Sequence, residues 1–149
     1  MIEHHRAAAA DLDPVVLYRL LELRVAVFVV EQRAAYAELD GRDVEPGAEL
    51  LWAAEGDAVL ATARVLRDPG AMRIGRVATA RSARGRGVAS ALMRAAVARC
   101  AEVAPGLPVV LDAQEHLADW YAGFGFVVDG DRYLEDDIPH LPMRRAPAS

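Results

Sequence analysis

Three apolar, β-prone runs joined by very short turns constrain this fold most. They are ELLWAAE (49–55), AVLATARVL (58–66) and MRIGRVAT (72–79). Gly56-Asp57 separates the first two and Pro69-Gly70 leads into the third. Turns of that length join only antiparallel neighbours, so the three runs predict a meander. The next segment, GVASALMRAAVARCAEVA (87–104), is alanine-rich with apolar residues at helical spacing, and it stops at Pro105-Gly106. LPVVLDA (107–113) follows, almost wholly apolar, as in strands buried on both faces. A strand, a helix and a second strand in that order predict one parallel pair across the helix.

The rest of the chain adds to both sides of this centre. Residues 2–6 predict a short strand. Asp13-Pro14 is a helix start, an N-cap acid before a proline at the first helical position. The helix runs through Leu17, Leu20, Leu21 and Arg24 toward Glu31, although the β-branched run from Val25 to Val30 also suits a strand. Residues 33–48 are polar, with Asp40-Gly41 and Pro46-Gly47 as turn signals, and read as a loop. EHLADWYAGFG (115–125) predicts a short helix stopped by Gly123 or Gly125. FVVDGDRYL (126–134) and HLPMRR (140–145) predict a closing antiparallel pair. The order is β-α-β-β-β-α-β-α-β-β, an α/β mixture with no repeat or linker, and so a single domain over 1–149.

Charge is distributed unevenly. All 17 basic residues are arginine. Nine of them lie between Arg64 and Arg99 with a single acid, Asp68, while the remainder holds eight arginines and 21 acids. Such a division suits either solvated, mutually compensating faces or an anionic ligand on the middle segment and a cationic partner on the acidic part. Nine aromatics, none alternating with arginine in the basic stretch, argue against nucleic acid. No apolar run reaches the length of a membrane span, and the N-terminus lacks the layout of a signal peptide. One cysteine, Cys100, cannot form an internal disulfide, and no Cys/His spacing resembles a zinc site. The expectation is a cytoplasmic protein without a metal.

RSARGRGVAS (81–90) joins the third strand to the alanine-rich helix and has the glycines of a phosphate loop. A Walker loop requires lysine, which the chain lacks. A dinucleotide fingerprint starts directly after its strand, whereas five residues separate Thr79 from Gly85 and the third glycine position is Ser90. A third pattern, Q/R-x-x-G-x-G/A, is met at every fixed position by Arg84-Gly85-Arg86-Gly87-Val88-Ala89. Its chemistry is physical. A helix N-terminus presents unpaired N–H groups and partial positive charge to phosphate, glycines let the ligand approach, and arginines add charge.

With that motif between strand and helix, and WYAGFGF (120–126) after it, the chain resembles the GNAT superfamily of N-acetyltransferases. LYRLLELRVAVFVVEQ (17–32), Asp40, Asp43 and EDDIPHLPM (135–143) look like its ElaA-like branch. The resemblance implies a mixed, mostly antiparallel sheet with one splayed parallel strand pair, flanked by helices. It also implies acetyl-CoA as cosubstrate, with pantetheine between Arg76–Thr79 and Leu107–Ala113. Backbone groups of Val77, Ala78 and Thr79 would bond the pantetheine and thioester, and Arg84, Gly85, Arg86, Gly87, Val88 and Ala89 would hold the diphosphate. The acetyl group would pass to a primary amine, of a small molecule or a peptide, by direct attack on the thioester. Tyr121 would give a proton to the leaving thiolate, and Glu31 is the candidate base.

Asp40, Asp43 and Glu49 are available to attract a cationic acceptor. His116 and His140 read as structural, and Cys100, Trp120 and Phe126 as core. Gln114 stands where relatives often carry asparagine. A homodimer is common in such folds. The alternative function is a coenzyme A-binding sensor that performs no catalysis.

Overall fold

The computed structural model describes residues 1–34 and 37–148. Its strands are β1 (Ile2–Ala7), β2 (Glu49–Glu55), β3 (Ala58–Asp68), β4 (Ala71–Thr79), β5 (Val109–Gln114), β6 (Val127–Val128), β7 (Tyr133–Glu135) and β8 (Ile138–Arg145). Its helices are α1 (Pro14–Arg24), α2 (Val88–Val103) and α3 (Ala118–Ala122). One mixed sheet orders the strands β1-β2-β3-β4-β5-β8-β6, with β7 also on β8. Among the described residues every pairing is antiparallel except β4 with β5, which α2 connects. No helix of the described residues is long and apolar enough to cross a membrane.

The core has two sides because helices cover the sheet on both. Leu92, Met93, Ala96 and Cys100 of α2 pack against Leu51, Ile74, Val109, Leu111 and Met143 on one face. Leu20 of α1 packs with Leu50, Trp52 and Ala54 on the other. β3 therefore carries an unbroken buried run from Leu60 to Leu66. At the start of α1, the Asp13 carboxylate accepts the N–H of Val15 at 2.9 Å and that of Val16 at 3.4 Å, satisfying two first-turn donors.

Three expectations from the sequence change in detail, while the helix expected toward Glu31 holds, Val25–Glu31 continuing α1 as π-helical turns and not as a strand. Burial of Val27 and Phe28 against Ala78 overrides the local preference. β5 is not buried on both faces, for Asp112 is exposed where the sheet opens beside it. The predicted strand over 126–134 is two short pieces, β6 and β7, because Asp129-Gly130-Asp131 is turn chemistry and the facing Pro142 has no N–H for a ladder. The polar stretch 33–48 is partly buried through Ala34, Glu38 and Ala48; Ala35 and Tyr36 lie outside the described residues.

The site is created by the parallel pair. β4 and β5 are in register only at Met72–Val109 and Arg73–Val110. Beyond that point the strands separate, while β5 stays paired with β8 along its whole length. At the same point β4 bulges against β3, where the register shifts between Thr62 and Arg64. Arg76, in the bulge, has φ 51°, a left-handed conformation that costs a non-glycine residue about 1 kcal/mol. Surrounding contacts must hold it there, and they do so through its guanidinium.

Candidate active site

Two cavities lie along the opening between β4 and β5. The smaller, about 260 Å³, is bordered by Thr79, Ala83, Arg84, Gly85, Gly87, Val88, Ala89, Ser90 and Trp120. Gly85 and Gly87 have φ of 77° and 75°, so the loop turns twice through the left-handed region before α2 begins. A Cβ built on either would meet nothing within 4 Å, so the loop is open beside both Cα atoms. Trp120, expected in the core, packs edge-on against Tyr121 and Phe124 and also reaches this cavity.

The remaining motif residues are placed differently. Val77 borders the second cavity. Ala78 is buried against Val27 and Phe28. Arg86 is exposed and pairs with Glu55 at 3.5 Å. Arg84 donates to both Glu31 oxygens, at 2.7 and 2.8 Å, and its guanidinium also reaches the Thr79 carbonyl at 3.1 Å. These hydrogen bonds and the Arg84 charge hold the Glu31 carboxyl below the usual carboxylate range. A carboxylate so held is a weaker proton acceptor, which fits a partner for Arg84 better than a base.

The larger cavity, about 350 Å³, is bordered by Phe28 and Gln32 and takes in Val77, Gln114, Leu117, Tyr121, Glu135 and His140. Burial pushes the Tyr121 hydroxyl up to about 12, so it carries its proton at neutral pH. Gln114 donates to Gln32 across the mouth at 2.9 Å, tying the end of β5 to the chain after the π-helical turns. Asp40, Arg42, Arg64, Asp68, Arg73, Arg76 and Asp112 supply a wall of both signs.

Asp40, Arg64 and Arg76 of that wall belong to a closed ring of alternating charge. Arg24 contacts Glu38 (2.7 Å), Glu38 contacts Arg76 (3.0 Å), Arg76 contacts Asp40 (3.1 Å) and Asp40 contacts Arg64 (2.9 Å). Arg64 reaches Asp43 (3.5 Å), and Asp43 returns to Arg24 (2.6 Å). Three arginines and three acids leave no net charge. Partial burial opposes ionisation of Asp40, yet bonds from Arg64 and the Arg42 N–H, with the charges of Arg64 and Arg76, bring it down to about 2. Burial likewise opposes the charge on Arg24, and Asp43 and Glu38 more than offset it. A second chain runs from Arg42 through Asp68 and Arg73 to Asp112.

Sequence reasoning missed the ring. Its one local signal is Arg24, which falls on the buried stripe of α1 with Leu17 and Leu20 and is 1% exposed. The ring also corrects the role expected for Asp40 and Asp43, whose charges are matched by arginines inside the protein. Glu49 is matched in the same way, by Arg99 at 2.8 Å.

A family model described as the acetyltransferase (GNAT) domain matches residues 16–146. The chain belongs to the GNAT family. Within it, a UPF0039 protein of Mycobacterium tuberculosis is 45% identical over 145 residues, covering 94% of this chain and 90% of that one. Protein ElaA of Escherichia coli is 38% identical over 148 residues, with 97% of each covered. The crystal structure of E. coli ElaA superposes with a TM-score of 0.92 over 97% of this chain and 99% of that one. An acyl-CoA N-acyltransferase from Pseudomonas aeruginosa, 42% identical, also gives 0.92, over 98% of this chain and 100% of that one. A GNAT chain of the ElaA-like branch is therefore an acyltransferase-family protein, and its open sheet is the family's fold.

Proposed function

We propose that this protein is an acetyl-CoA-dependent N-acetyltransferase that moves an acetyl group to a primary amine by direct attack on the thioester. The observation that carries this reading is the parting of β4 from β5, with the glycine loop at one end of the opening and Tyr121 in the cavity at the other. The residues present fit coenzyme A. Left-handed Gly85 and Gly87 expose backbone at the N-terminus of α2, where a diphosphate is favoured, and Arg84 and Arg86 supply cations beside it. Val88 and Ala89 open the helix behind them.

In this reading the backbone of Val77, Ala78 and Thr79 lines the pantetheine path. An N–H at this strand polarises the thioester carbonyl, a role worth about 10²–10³ in rate in other enzymes. Tyr121, protonated at neutral pH, supplies the proton that the departing thiolate needs. Glu31 positions Arg84 against the Thr79 carbonyl instead of serving as the base. Cys100 takes no part, because it is buried in α2 with its thiol pushed up to about 12 by burial and by the charge of Glu49.

Release of free thiol from acetyl-CoA, measured over polyamines, amino acids, peptides and aminoglycosides, tests the proposal. Amine-dependent release is expected for at least one class. Micromolar binding of acetyl-CoA with no release on any acceptor would favour the sensor instead.

A further inference from the structure

Resting on the acetyltransferase reading above, we propose that His140 is the group that takes the proton from the acceptor amine, with Glu135 beside it to hold the amine as a cation. The sequence gives His140 no special standing. Its surroundings do.

His140 lies directly opposite Gln114 in the β5–β8 register, four residues past the point where β5 leaves β4. It shares the larger cavity with Tyr121, and its side chain is only 12% exposed. Nδ1 lies 2.8 Å from the Ile138 carbonyl oxygen. A carbonyl only accepts, so Nδ1 carries the hydrogen and the neutral ring keeps its lone pair on Nε2. The ring stacks on Tyr133, with centroids 5.6 Å apart and planes 23° apart, and Tyr133 in turn bonds Asp112. Tautomer and orientation are both held.

Nε2 stands 3.9 Å from Glu135 Oε2, too far for a hydrogen bond between them. Two proton-accepting atoms thus border one cavity without satisfying each other. Among the described residues, Tyr133 on β7 stacks on the ring, and its cavity is also bordered by Tyr121 on α3, Asp112 on β5 with its partner Arg73, and the paired charges Asp40, Arg42, Arg64, Asp68 and Arg76 of the far wall. From the turn at 115–117, Leu117 is the residue that reaches the cavity. Asp40, Asp68 and Asp112 in the same wall are each tied to arginine, which leaves Glu135 as the carboxylate best able to meet an ammonium.

Protons and electrons balance as follows. An ammonium group, R–NH3⁺, gives one proton to Nε2 of His140, forming imidazolium and a free amine. The amine lone pair attacks the thioester carbon, the C–N bond forms, and the C–S bond then breaks with its electrons on sulfur. The thiolate takes the Tyr121 hydroxyl proton, and the second proton leaving nitrogen restores Tyr121. His140 returns its proton to solvent.

The test joins two measurements on the intact protein. Nitrogen-15 NMR of labelled wild type, recorded where the ring is neutral, should show the bare ring nitrogen at Nε2 of His140; a bare Nδ1 overturns the proposal. His140→Gln should keep the melting temperature and the acetyl-CoA affinity, lower kcat/KM for the amine by about 10²-fold, and remove the acid limb of its pH profile. An active wild type whose rate and acid limb survive in His140→Gln overturns the proposal alone. A wild type that binds acetyl-CoA and acetylates no amine overturns the acetyltransferase reading and the proposal with it.

Discussion

Tyr121 and Glu31 show how one residue's environment sets its chemistry. Tyr121 is buried and its hydroxyl is pushed up to about 12, so its proton is in place for the donor role proposed. Tyr121→Phe should lower kcat at least tenfold at pH 7 and leave acetyl-CoA affinity intact, measured by thiol release and calorimetry. Glu31 is spent on Arg84. Glu31→Gln should change KM for acetyl-CoA while kcat stays within about threefold; a tenfold fall in kcat at constant KM would make Glu31 the base after all. The motif singled out Tyr121 as the candidate donor, and the structure places it in the larger cavity. The Glu31–Arg84 pair, 53 residues apart in the chain, was not legible in the sequence, because no local pattern registers a contact between a helix end and a distant loop.

Elements were legible where turn chemistry and periodicity agreed. The meander followed from two dipeptides, and α2 from its apolar spacing and the Pro105-Gly106 stop. The π-helical turns were not legible, since they depend on burial of Val27 and Phe28 against β4. The break between β6 and β7 depends on Pro142, a residue of the partner strand. Two substitutions test the elements that shape the site. Asp13→Ala removes the α1 cap and should cost about 1 kcal/mol in urea unfolding with an unchanged slope. Gly87→Ala forces alanine to φ 75° and places a methyl group in the open cradle. It should cost about 1 kcal/mol of stability and weaken acetyl-CoA binding roughly tenfold.

For the molecule as a whole, charge is the instructive quantity. The basic middle and acidic remainder of the sequence suited either compensating faces or separate ligands. Much of that division is compensated internally, for Arg64 and Arg76 meet the acids of 38–43, and Arg99 meets Glu49. Pairing across such distances is invisible to composition, whereas the meander and the one parallel pair were legible from short turns and the crossover helix. The ring fixes the segment 37–45 over the bulge that opens the sheet. Arg24→Met leaves Glu38 and Asp43 short of a buried partner and should cost about 3 kcal/mol. The ring also fixes the sign of acid sensitivity. Asp40 titrates near 2 in the folded chain against an ordinary 3.8, so the unfolded chain binds its proton more readily. That stabilisation is complete above about pH 4 and fades as pH falls toward 2. Urea midpoints at pH 7, 5 and 3 should be level between the first two and lower at the third.

Calorimetric titration of the wild-type protein with acetyl-CoA reaches the central claim most directly, because every proposed role depends on the loop at Arg84–Ala89 holding that ligand. The expected result is one micromolar site per chain, weakened in Gly87→Ala. Micromolar binding of NAD with no heat from acetyl-CoA would contradict it.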